Sequence, residues 1–396
     1  MSSIPISVAV IGAGMAGRTH ANAWRQAPTL YEPGLLPDVR LAAICDAYEP
    51  FAKAAAGSYG YERYVTDWRD IVEADDIDVV SIVVANKLHR EIAEALIKAG
   101  KHVLCEKPLT DTLEDAKIMT EVAEAHPEVV TGIGFGYRRQ VAVAKIAELA
   151  RDGALGEIYH FDGRYWCDYG ADPNTPIAWR YKGPMGSGAL GYVGSHLTDV
   201  AEFICGPIKR ISGATMSTVI THRPPAVEGV AGGRGKAVAA EATESVENDD
   251  IAMFNAEFES GAVGSISVSR VAFGDPNALM FDVMGSKAKA SFDLARGGEV
   301  TLNDGSAEAG MRGPRRILTG PNFPYFKGGS SMDFAGVGTT QIDQFNFQAR
   351  AFLDQVAGVD EGLPAVPSFA HGYRAIRIQH AVAESAAAGG KAVDID

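Results

Sequence analysis

The sequence predicts an α/β protein in which a doubly wound parallel sheet is followed by an α+β domain with a mostly antiparallel, open sheet. Up to about residue 135, short apolar runs alternate with segments of helical periodicity, which is typical of parallel strands joined by helices. Beyond that point the strand-like runs become alternating or aromatic. A length of 396 residues also favours two domains. We therefore predict a first domain over 1–135 and a second over 136–396.

The first domain contains five predicted strands, at 6–11, 41–45, 78–84, 102–105 and 129–135. The run 78–84 is nearly all apolar, as expected of a strand covered on both faces. A helix that starts near His89 is predicted to end at Gly100, a typical left-handed cap. Thr112 and Asp115 have the spacing of a capping box for the following helix. Strands and helices thus alternate as a parallel sheet requires.

The second domain combines helices with strands of a different character. Helices are predicted at 141–150 and 189–204, and a strand at 157–166. The runs Ile251–Glu259 and Ala262–Val271 flank a Ser-Gly turn and predict an antiparallel hairpin. Two stretches without periodicity, 223–248 and 304–340, are predicted to be long loops.

Composition narrows the classes of function. A formal net charge of −14 argues against binding to nucleic acid or to an anionic membrane surface. The cysteines Cys45, Cys105, Cys167 and Cys205 lie far apart without a CxxC pair, which argues against a zinc site or a disulfide framework. The sequence contains no run of about 18 apolar residues. We expect a cytoplasmic protein with no bound metal.

The turn Gly12-Ala13-Gly14-Met15-Ala16-Gly17 follows an apolar strand and opens a helix, which is the context of a dinucleotide-binding (Rossmann) fingerprint. Gly12 permits the tight turn, Gly14 lets the backbone approach the pyrophosphate, and Gly17 allows helix and strand to pack closely. Backbone N–H groups at this positive helix end, including those of Met15 and Ala16, favour phosphate. The motif predicts a nicotinamide dinucleotide site.

Asp46 closes the second predicted strand, where an acidic residue hydrogen-bonds the ribose hydroxyls of the cofactor and repels a 2′-phosphate. Its separation from Gly17 exceeds the usual spacing of about 20 residues. The proline-containing segment 28–38 accounts for the excess as an insertion. No Arg follows Asp46 directly, so NAD is favoured over NADP.

Two common dehydrogenase chemistries are absent from the sequence. It has no Tyr-x-x-x-Lys pair and no Cys/His set for a catalytic zinc ion. Instead, Glu106-Lys107-Pro108 follows the strand at 102–105, at the sheet edge where ligands bind in such folds. A lysine there can stabilise an alkoxide by its positive charge.

The sequence resembles the Gfo/Idh/MocA family of sugar and inositol oxidoreductases. The segments that carry the resemblance are 12–17, 84–89, 99–109, 136–138, 186–190 and 194–199. The resemblance implies that Lys107 is the catalytic lysine and that Asn86, His89 and Glu106 line the nicotinamide-ribose side. It also implies that an open sheet in the second domain forms the substrate pocket and often the oligomer interface, so we expect a homodimer or homotetramer.

The family places its proton-transfer residue on a helix of the second domain, and His196 falls there. Tyr192, His196 and Asp199 are spaced i, i+4, i+7 on one helical face. Histidine suits general-base chemistry, and Asp199 can orient the imidazole. The family usually has an aspartate where this chain has Tyr192. Tyr192 is therefore open to three interpretations: an acid or base, a group that binds substrate, or a packed aromatic.

Aromatic and arginine side chains suit stacking on sugar faces and pairing with hydroxyls or anionic groups. The further pocket candidates of this type are Tyr137, Arg164, Tyr165, Trp179 and Arg180, and the role of His371 is open.

Three functions are compatible with these residues. The first is an NAD-dependent dehydrogenase that transfers a hydride between a sugar, sugar-derivative or inositol hydroxyl and nicotinamide. The second, suggested by Tyr192, is a redox-neutral glycosidase that oxidises C3 transiently and eliminates the aglycone. The third is a non-enzymatic NAD sensor, against which Glu106-Lys107-Pro108 argues.

Overall fold

The computed structural model describes residues 5–32, 34–183, 187–225, 242–360 and 362–395. The chain forms two compact units. The first comprises the chain up to Arg139 with the segments Tyr325–Asp333 and Thr340–Tyr373. The second comprises Gln140–Pro324, Phe334–Thr339 and the chain from Arg374 onward. The structure thus differs from the predicted scheme, in which everything after residue 135 belonged to one domain.

The first unit contains a six-stranded parallel sheet. Its strands are β1 (Ile6–Ile11), β2 (Val39–Cys45), β3 (Arg63–Val65), β4 (Val79–Ile82), β5 (His102–Cys105) and β6 (Thr131–Ile133). They are ordered β3-β2-β1-β4-β5-β6. The helices between them are α1 (Met15–Gln26), α2 (Glu49–Tyr59), α3 (Arg69–Glu73), α4 (His89–Lys98) and α5 (Leu113–Ala125). This arrangement confirms the predicted doubly wound sheet.

The rest of the chain adds eleven strands and four helices to the described structure. The strands are β7 (Ile158–Trp166), β8 (Ile208–Ser217), β9 (His222–Arg223), β10 (Glu244–Ser245), β11 (Ile251–Phe258), β12 (Val263–Ser269), β13 (Ala278–Gly285), β14 (Ala288–Asp293), β15 (Glu299–Asp304), β16 (Arg315–Leu318) and β17 (Val393–Asp394). The helices are α6 (Val141–Arg151), α7 (Ser195–Cys205), α8 (Gln341–Ala357) and α9 (Phe369–Ala387).

Nine of these strands form one sheet, ordered β16-β15-β14-β13-β7-β12-β11-β8-β17. Neighbours are antiparallel except β7 and β12, which run parallel. The predicted hairpin is confirmed, because β11 and β12 pair antiparallel with Ile251 opposite Ser269. β11 alternates buried and more exposed residues, as its sequence pattern indicated. The mostly antiparallel sheet of the second unit was therefore predicted correctly.

The two predicted long loops have different outcomes. Of the stretch 223–248, residues 226–241 lie outside the described residues, and its described ends include the two-residue strands β9 and β10. The stretch 304–340 contains β16, which pairs with β15. All four residues of β16 are exposed, so this edge strand has no alternating pattern that sequence reasoning could detect.

Helix α8 explains why a late segment of the chain belongs to the first unit. Its Phe352 is fully buried and meets the ring of Trp24, on α1, edge-on at 6.1 Å between centroids. The helix begins with a capping box between Thr340 and Asp343. The amphipathic pattern of α8 predicts a buried face but carries no information about which sheet covers it.

A buried ion pair stabilises the second unit. Arg270 Nε lies 2.7 Å from Asp250 Oδ1, and both side chains are fully buried. The second carboxylate oxygen of Asp250 accepts the N–H groups of Val219 and Ile220. Arg270 also donates to the carbonyl of Arg180 at 2.9 Å. The pair thus connects three separate segments of the chain.

We expect Arg270→Met to lower the free energy of unfolding by about 3–5 kcal/mol, because it leaves a buried carboxylate without its counter-charge. Urea or thermal unfolding measures this change. The control is Lys209→Met, which removes an ion pair to Glu257 whose lysine side chain is 42% exposed. That variant should lose less than about 1 kcal/mol. Equal losses in the two variants would contradict a dominant role for the buried pair.

Candidate active site

The glycine turn has the geometry that a bound pyrophosphate requires. Gly12 has a φ of +105°, and a Cβ there would lie 2.1 Å from the carbonyl oxygen of Val83. A Cβ on Gly17 would lie 1.8 Å from the carbonyl oxygen of Gly12, so neither position accepts a side chain. A Cβ on Gly14, in contrast, would meet no described atom within 4 Å. The turn is closed toward the sheet and open on its other side.

The N-terminus of α1 is suited to binding an anion. Among the residues that the structure describes, no side chain caps this helix, and its first turn contains no acidic residue. Met15 in this turn is 62% exposed. The helix end therefore offers its backbone N–H groups and its positive dipole to a phosphate group. These residues fit a dinucleotide.

Asp46 follows β2 at its carboxyl end and is hydrogen-bonded to the glycine turn. Its Oδ2 accepts the N–H of Ala13 at 2.7 Å, and its Oδ1 accepts the N–H of Tyr48 at 2.9 Å. In the described part of the predicted insertion, Tyr31 donates its N–H to the carbonyl of Gly328, which also belongs to the first unit. The longer spacing therefore leaves the acidic residue next to the glycine turn.

Glu106 and Lys107 follow β5 directly, as the motif predicted. Glu106 Oε1 lies 3.0 Å from His20 Nε2 on α1, and Glu106 Oε2 accepts the N–H of Lys107 at 3.2 Å. Burial acts to raise the pKa of Glu106, but the hydrogen bond from His20 and the charge of Lys107 outweigh it, so this pKa lies below its usual value. Glu106 is therefore an ionised carboxylate beside Lys107. The Lys107–Pro108 bond is cis.

Behind Glu106 lies a buried polar group that sequence reasoning missed. His20 Nδ1 is 3.1 Å from Ser81 Oγ, which also accepts the indole N–H of Trp24 at 2.9 Å. Exposures of these three side chains range from 0% to 2%. The available signal was Ser81, a polar residue within the otherwise apolar strand β4.

Asn86 and His89 lie on the loop and helix that follow β4. Asn86 begins a short 3₁₀ turn and is 3% exposed, and His89 is fully buried. The His89 ring has Nδ1 3.1 Å from the carbonyl oxygens of Pro108 and Leu109, and Nε2 3.2 Å from that of Val84. Burial lowers the pKa of His89. This geometry supports a role in holding two loops together, and contact with the cofactor stays a prediction.

In the second unit, Tyr192 belongs to an aromatic cluster around Arg180. The Tyr192 ring meets Trp179 edge-on at 6.2 Å and Tyr169 at 5.8 Å. The guanidinium carbon of Arg180 lies 5.5 Å from the Tyr192 ring and 5.1 Å from the Trp179 ring. The cluster thus brings together two predicted pocket residues and Tyr192, and Tyr169 is a fourth member that sequence reasoning missed. Such a cluster offers aromatic faces and a fixed cation.

The helix that carries Tyr192 and His196 begins with a π-helical turn at Leu190–Gly194 and continues as α7. Such turns occur often at functional sites. Asp249 caps the start of this turn, since its Oδ2 accepts the N–H of Leu190 at 2.8 Å. Burial raises the pKa of Asp249. The wider turn and its cap fix the position of Tyr192 within the second unit.

His196 and Asp199 both lie on α7. The His196 ring is 6.3 Å from that of Tyr165, whose hydroxyl donates to Asn277 Oδ1 at 2.8 Å. Asp199 is buried, with 5% exposure. The contact between the two rings shows that Tyr165 lies on the same side of the sheet as His196.

Arg164 and Tyr165, both predicted to line the substrate pocket, lie on opposite faces of the sheet, so a single pocket on one face cannot contain both. Both lie on β7, where successive side chains point to opposite faces of the sheet. Arg164 instead stacks on Trp166, with its guanidinium carbon 4.3 Å from the ring, and contacts Met280 Sδ at 3.1 Å. These residues line a groove of about 610 Å³ on the other face of the sheet. A correct assignment needed the strand register.

Tyr137 and His371 belong to the first unit. Tyr137 is 1% exposed, and its hydroxyl accepts from Gln341 Nε2 at 3.0 Å. This burial argues against the predicted pocket position and supports a role in holding α8. His371 Nδ1 lies 3.2 Å from the hydroxyl of Ser368.

The described part of the chain shows neither a metal-ligand cluster nor a membrane-spanning helix. No group of three or more His, Cys, Asp or Glu side chains there is arranged to hold a metal ion. No helix in that part is both long enough and apolar enough to cross a membrane.

Comparison with known families assigns both parts of the chain. Residues 6–135 match the GFO/IDH/MocA oxidoreductase family with an NAD-binding Rossmann fold, and residues 143–291 match the GFO/IDH/MocA C-terminal domain. The chain belongs to this family. The resemblance inferred from the motifs is thereby confirmed, and the GFO/IDH/MocA chain uses NAD as its cofactor.

Individual relatives of this GFO/IDH/MocA chain include a levoglucosan dehydrogenase from Pseudarthrobacter phenanthrenivorans, which is 37% identical over 96% of both chains. A D-glucoside 3-dehydrogenase from Escherichia coli is 30% identical over 56% of this chain and 61% of its own. A solved structure of levoglucosan dehydrogenase in complex with NADH and levoglucosan is 34% identical. It covers 99% of this chain and 100% of its own, with a TM-score of 0.89.

These comparisons decide between the three predicted functions. The family is one of oxidoreductases and the relatives are dehydrogenases, so the chain is an NAD-dependent dehydrogenase acting on CH–OH groups. The interpretation as an NAD sensor is wrong. The redox-neutral glycosidase is not favoured, because no relative described above bears that activity in its name.

Proposed function

We propose that this chain is an NAD-dependent dehydrogenase that oxidises a secondary hydroxyl of levoglucosan or of a closely related cyclic sugar. The observation that carries the proposal is the similarity to a levoglucosan dehydrogenase along nearly the whole length of both chains. The aromatic cluster of the second unit supports it, because Trp179 and Tyr192 offer faces on which sugar rings stack. Arg180 adds a donor for hydroxyl oxygens.

In the proposed cofactor site, the turn from Gly12 to Gly17 holds the pyrophosphate and Asp46 binds the ribose hydroxyls. When bound, NAD supplies the acceptor for the hydride that leaves the substrate carbon. Glu106 keeps a negative charge beside Lys107, and this charge attracts the Lys107 side chain. The Lys107 ammonium stabilises the negative charge that develops on the substrate oxygen.

For the proton, we propose that His196 is the general base and that Asp199 orients its imidazole. Tyr192 then binds the sugar within the aromatic cluster. The contacts of Tyr192 with Trp179, Tyr169 and Arg180 support the binding role over a role as base. The hydroxyl of Tyr169 is buried and has no partner among the described residues, which makes it a candidate donor to a substrate hydroxyl.

A substrate panel tests this function. Purified protein with NAD is incubated with levoglucosan, methyl and aryl glucosides, myo-inositol and glucose, while NADH absorbance and product are followed. We expect one NADH per oxidised substrate and the highest kcat/KM for levoglucosan. Absence of NADH formation across the panel would overturn the proposal. Cleavage of the aryl glucoside without net NADH would instead support the glycosidase alternative.

Asp46→Asn tests the assignment of the cofactor. We expect the ratio of the Kd for NADP to that for NAD to fall by about tenfold or more, because the charge that repels a 2′-phosphate is removed. Asparagine keeps one acceptor oxygen for the N–H of Ala13, whereas its NH2 group cannot accept the N–H of Tyr48. Asp75→Asn, an exposed acid elsewhere in the first unit, is the control. An unchanged ratio in Asp46→Asn would contradict the role of Asp46.

We further propose that the protein acts in the cytoplasm as a homo-oligomer. The cysteines Cys45, Cys105, Cys167 and Cys205 are all free and buried, which fits a reducing compartment. Light scattering on the purified protein tests the assembly, and a monomer at micromolar concentration would contradict it.

A further inference from the structure

His20 lies on α1 and has no role in the sequence motifs of the site. Its ring is 2% exposed and spans the space between Ser81 and Glu106. Trp24 and Ser81, on its other side, are fully buried. Together these residues form a continuous chain of hydrogen bonds that ends at the carboxylate beside Lys107.

The direction of these hydrogen bonds follows from what each group can donate. The Trp24 indole can only donate, so Ser81 Oγ is an acceptor in that contact. If the Ser81 hydroxyl donates to His20 Nδ1, the imidazole is neutral with its hydrogen on Nε2. If Ser81 instead accepts a hydrogen bond from Nδ1, a neutral ring has no hydrogen on Nε2, and the Nε2 lone pair would face the Glu106 carboxylate. Because two acceptors repel each other, the ring in this case carries a hydrogen on both nitrogens. In both cases Nε2–H donates to Glu106.

Hydrogen bonds restrain both oxygens of the Glu106 carboxylate. His20 donates to Oε1, and the backbone N–H of Lys107 donates to Oε2. Gly134 allows the close approach, since a Cβ there would lie 2.5 Å from Oε1. Only 12% of the Glu106 side chain is exposed, so solvent contributes little to its position.

We infer that His20 is a positioning residue for catalysis: through its Nε2–H it holds Glu106 ionised and oriented beside Lys107. This inference rests on the proposed function, because it assigns Lys107 to the reaction. Without His20, the buried carboxylate loses its side-chain donor and more readily takes up a proton. Lys107 then loses the neighbouring negative charge that attracts its side chain and helps to hold it in position.

The expected pH dependence follows from the groups around Glu106. The titratable neighbours are His20 on α1, His89 on α4, Cys105 on β5 and Lys107. The His20 hydrogen bond lowers the pKa of Glu106 against the effect of burial. Removing this hydrogen bond raises the pKa of Glu106. As the pH is lowered, Glu106 then takes up its proton at a higher pH than in the native protein, and activity is lost at that higher pH. A charge-assisted hydrogen bond corresponds to a shift of about one to two pH units.

The test compares His20→Leu with His20→Gln. Leucine removes the donor, whereas the glutamine amide can donate to Glu106 from a position close to that of Nε2. Both variants lose the edge-on contact with Phe345, at 5.4 Å in the native chain, so this packing loss is matched. We expect His20→Leu to lower kcat about tenfold or more, with KM and the Kd for NAD within about twofold of the native values. The acidic limb of the pH–activity profile of His20→Leu should move to higher pH by about one to two pH units.

His20→Gln is expected to restore most of kcat and the native pH profile. Equal losses in both variants, without a shift of the pH profile, would overturn the inference and leave His20 a packing residue. A second readout needs no substrate: ¹³C NMR titration of the Glu106 carboxyl, assigned with Glu106→Gln. Protonation at higher pH in His20→Leu than in the native protein is the expected result, and identical titrations would overturn the inference. If the native protein oxidises no sugar, the proposed function fails, while this titration still decides the role of His20.

Discussion

Lys107→Ala is expected to lower kcat/KM by about 10³ or more, while the Kd for NAD stays within about twofold of the native value. The lysine charge acts on the substrate oxygen, where negative charge develops as the hydride leaves. The glycine turn and Asp46, which are proposed to hold the cofactor, do not depend on this side chain. Steady-state kinetics with levoglucosan and titration of protein fluorescence with NAD measure the two quantities.

Lys98→Ala is the matched control for this prediction. Lys98 lies at the end of α4 in the same unit, is 58% exposed and pairs with Glu94 at 2.7 Å. Its loss should leave kcat/KM unchanged. More than about a tenth of native activity in Lys107→Ala would contradict the proposed catalytic role. A large loss of NAD affinity in that variant would instead identify Lys107 as a cofactor ligand.

His196→Ala is expected to lower kcat by about 10²–10⁴, the range that a general base contributes. Tyr192→Phe keeps the ring contacts with Trp179 and Tyr169, and should lower kcat less than about tenfold while raising KM. Added imidazole should restore part of the activity of His196→Ala and none of that of Tyr192→Phe. The reverse pattern would assign proton transfer to Tyr192 and overturn the role of His196.

Trp179→Phe is the control for the aromatic cluster in this experiment. It keeps an aromatic ring beside Tyr192 and Arg180, so only a modest increase in KM is expected. A loss of kcat comparable to that of His196→Ala would show that the cluster acts on the chemical step rather than on binding.

The strongly patterned elements of the fold were accessible to sequence reasoning. β1 is buried at every position and precedes the glycine turn, and β11 and β12 alternate around a short turn, so local pattern and final structure agree. Edge strands were missed. β3 has three half-buried residues and β16 four exposed ones, so neither carries a periodic signal.

Residues joined by local spacing were also predictable at the site. Gly12 to Gly17, Glu106 and Lys107 each follow a strand of the parallel sheet, whose carboxyl ends meet at one edge. Tyr192 and His196 share a helix, as their spacing predicted. Arg164 and Tyr165 show the limit of this reasoning: adjacent strand residues face opposite ways, and composition does not reveal which face is buried.

For this protein, the sequence by itself determined the main strands of the parallel sheet, the glycine turn that follows β1 and the family, and it singled out Asp46 and Lys107 as candidates. These depend on interactions within a few residues, which periodicity and spacing record. The tertiary structure alone decided that α8 joins the first unit, that Arg180 lies among three aromatic rings, and that His20 reaches Glu106. His20 and Glu106 are 86 positions apart, and only the packing of α1 against the sheet brings them together.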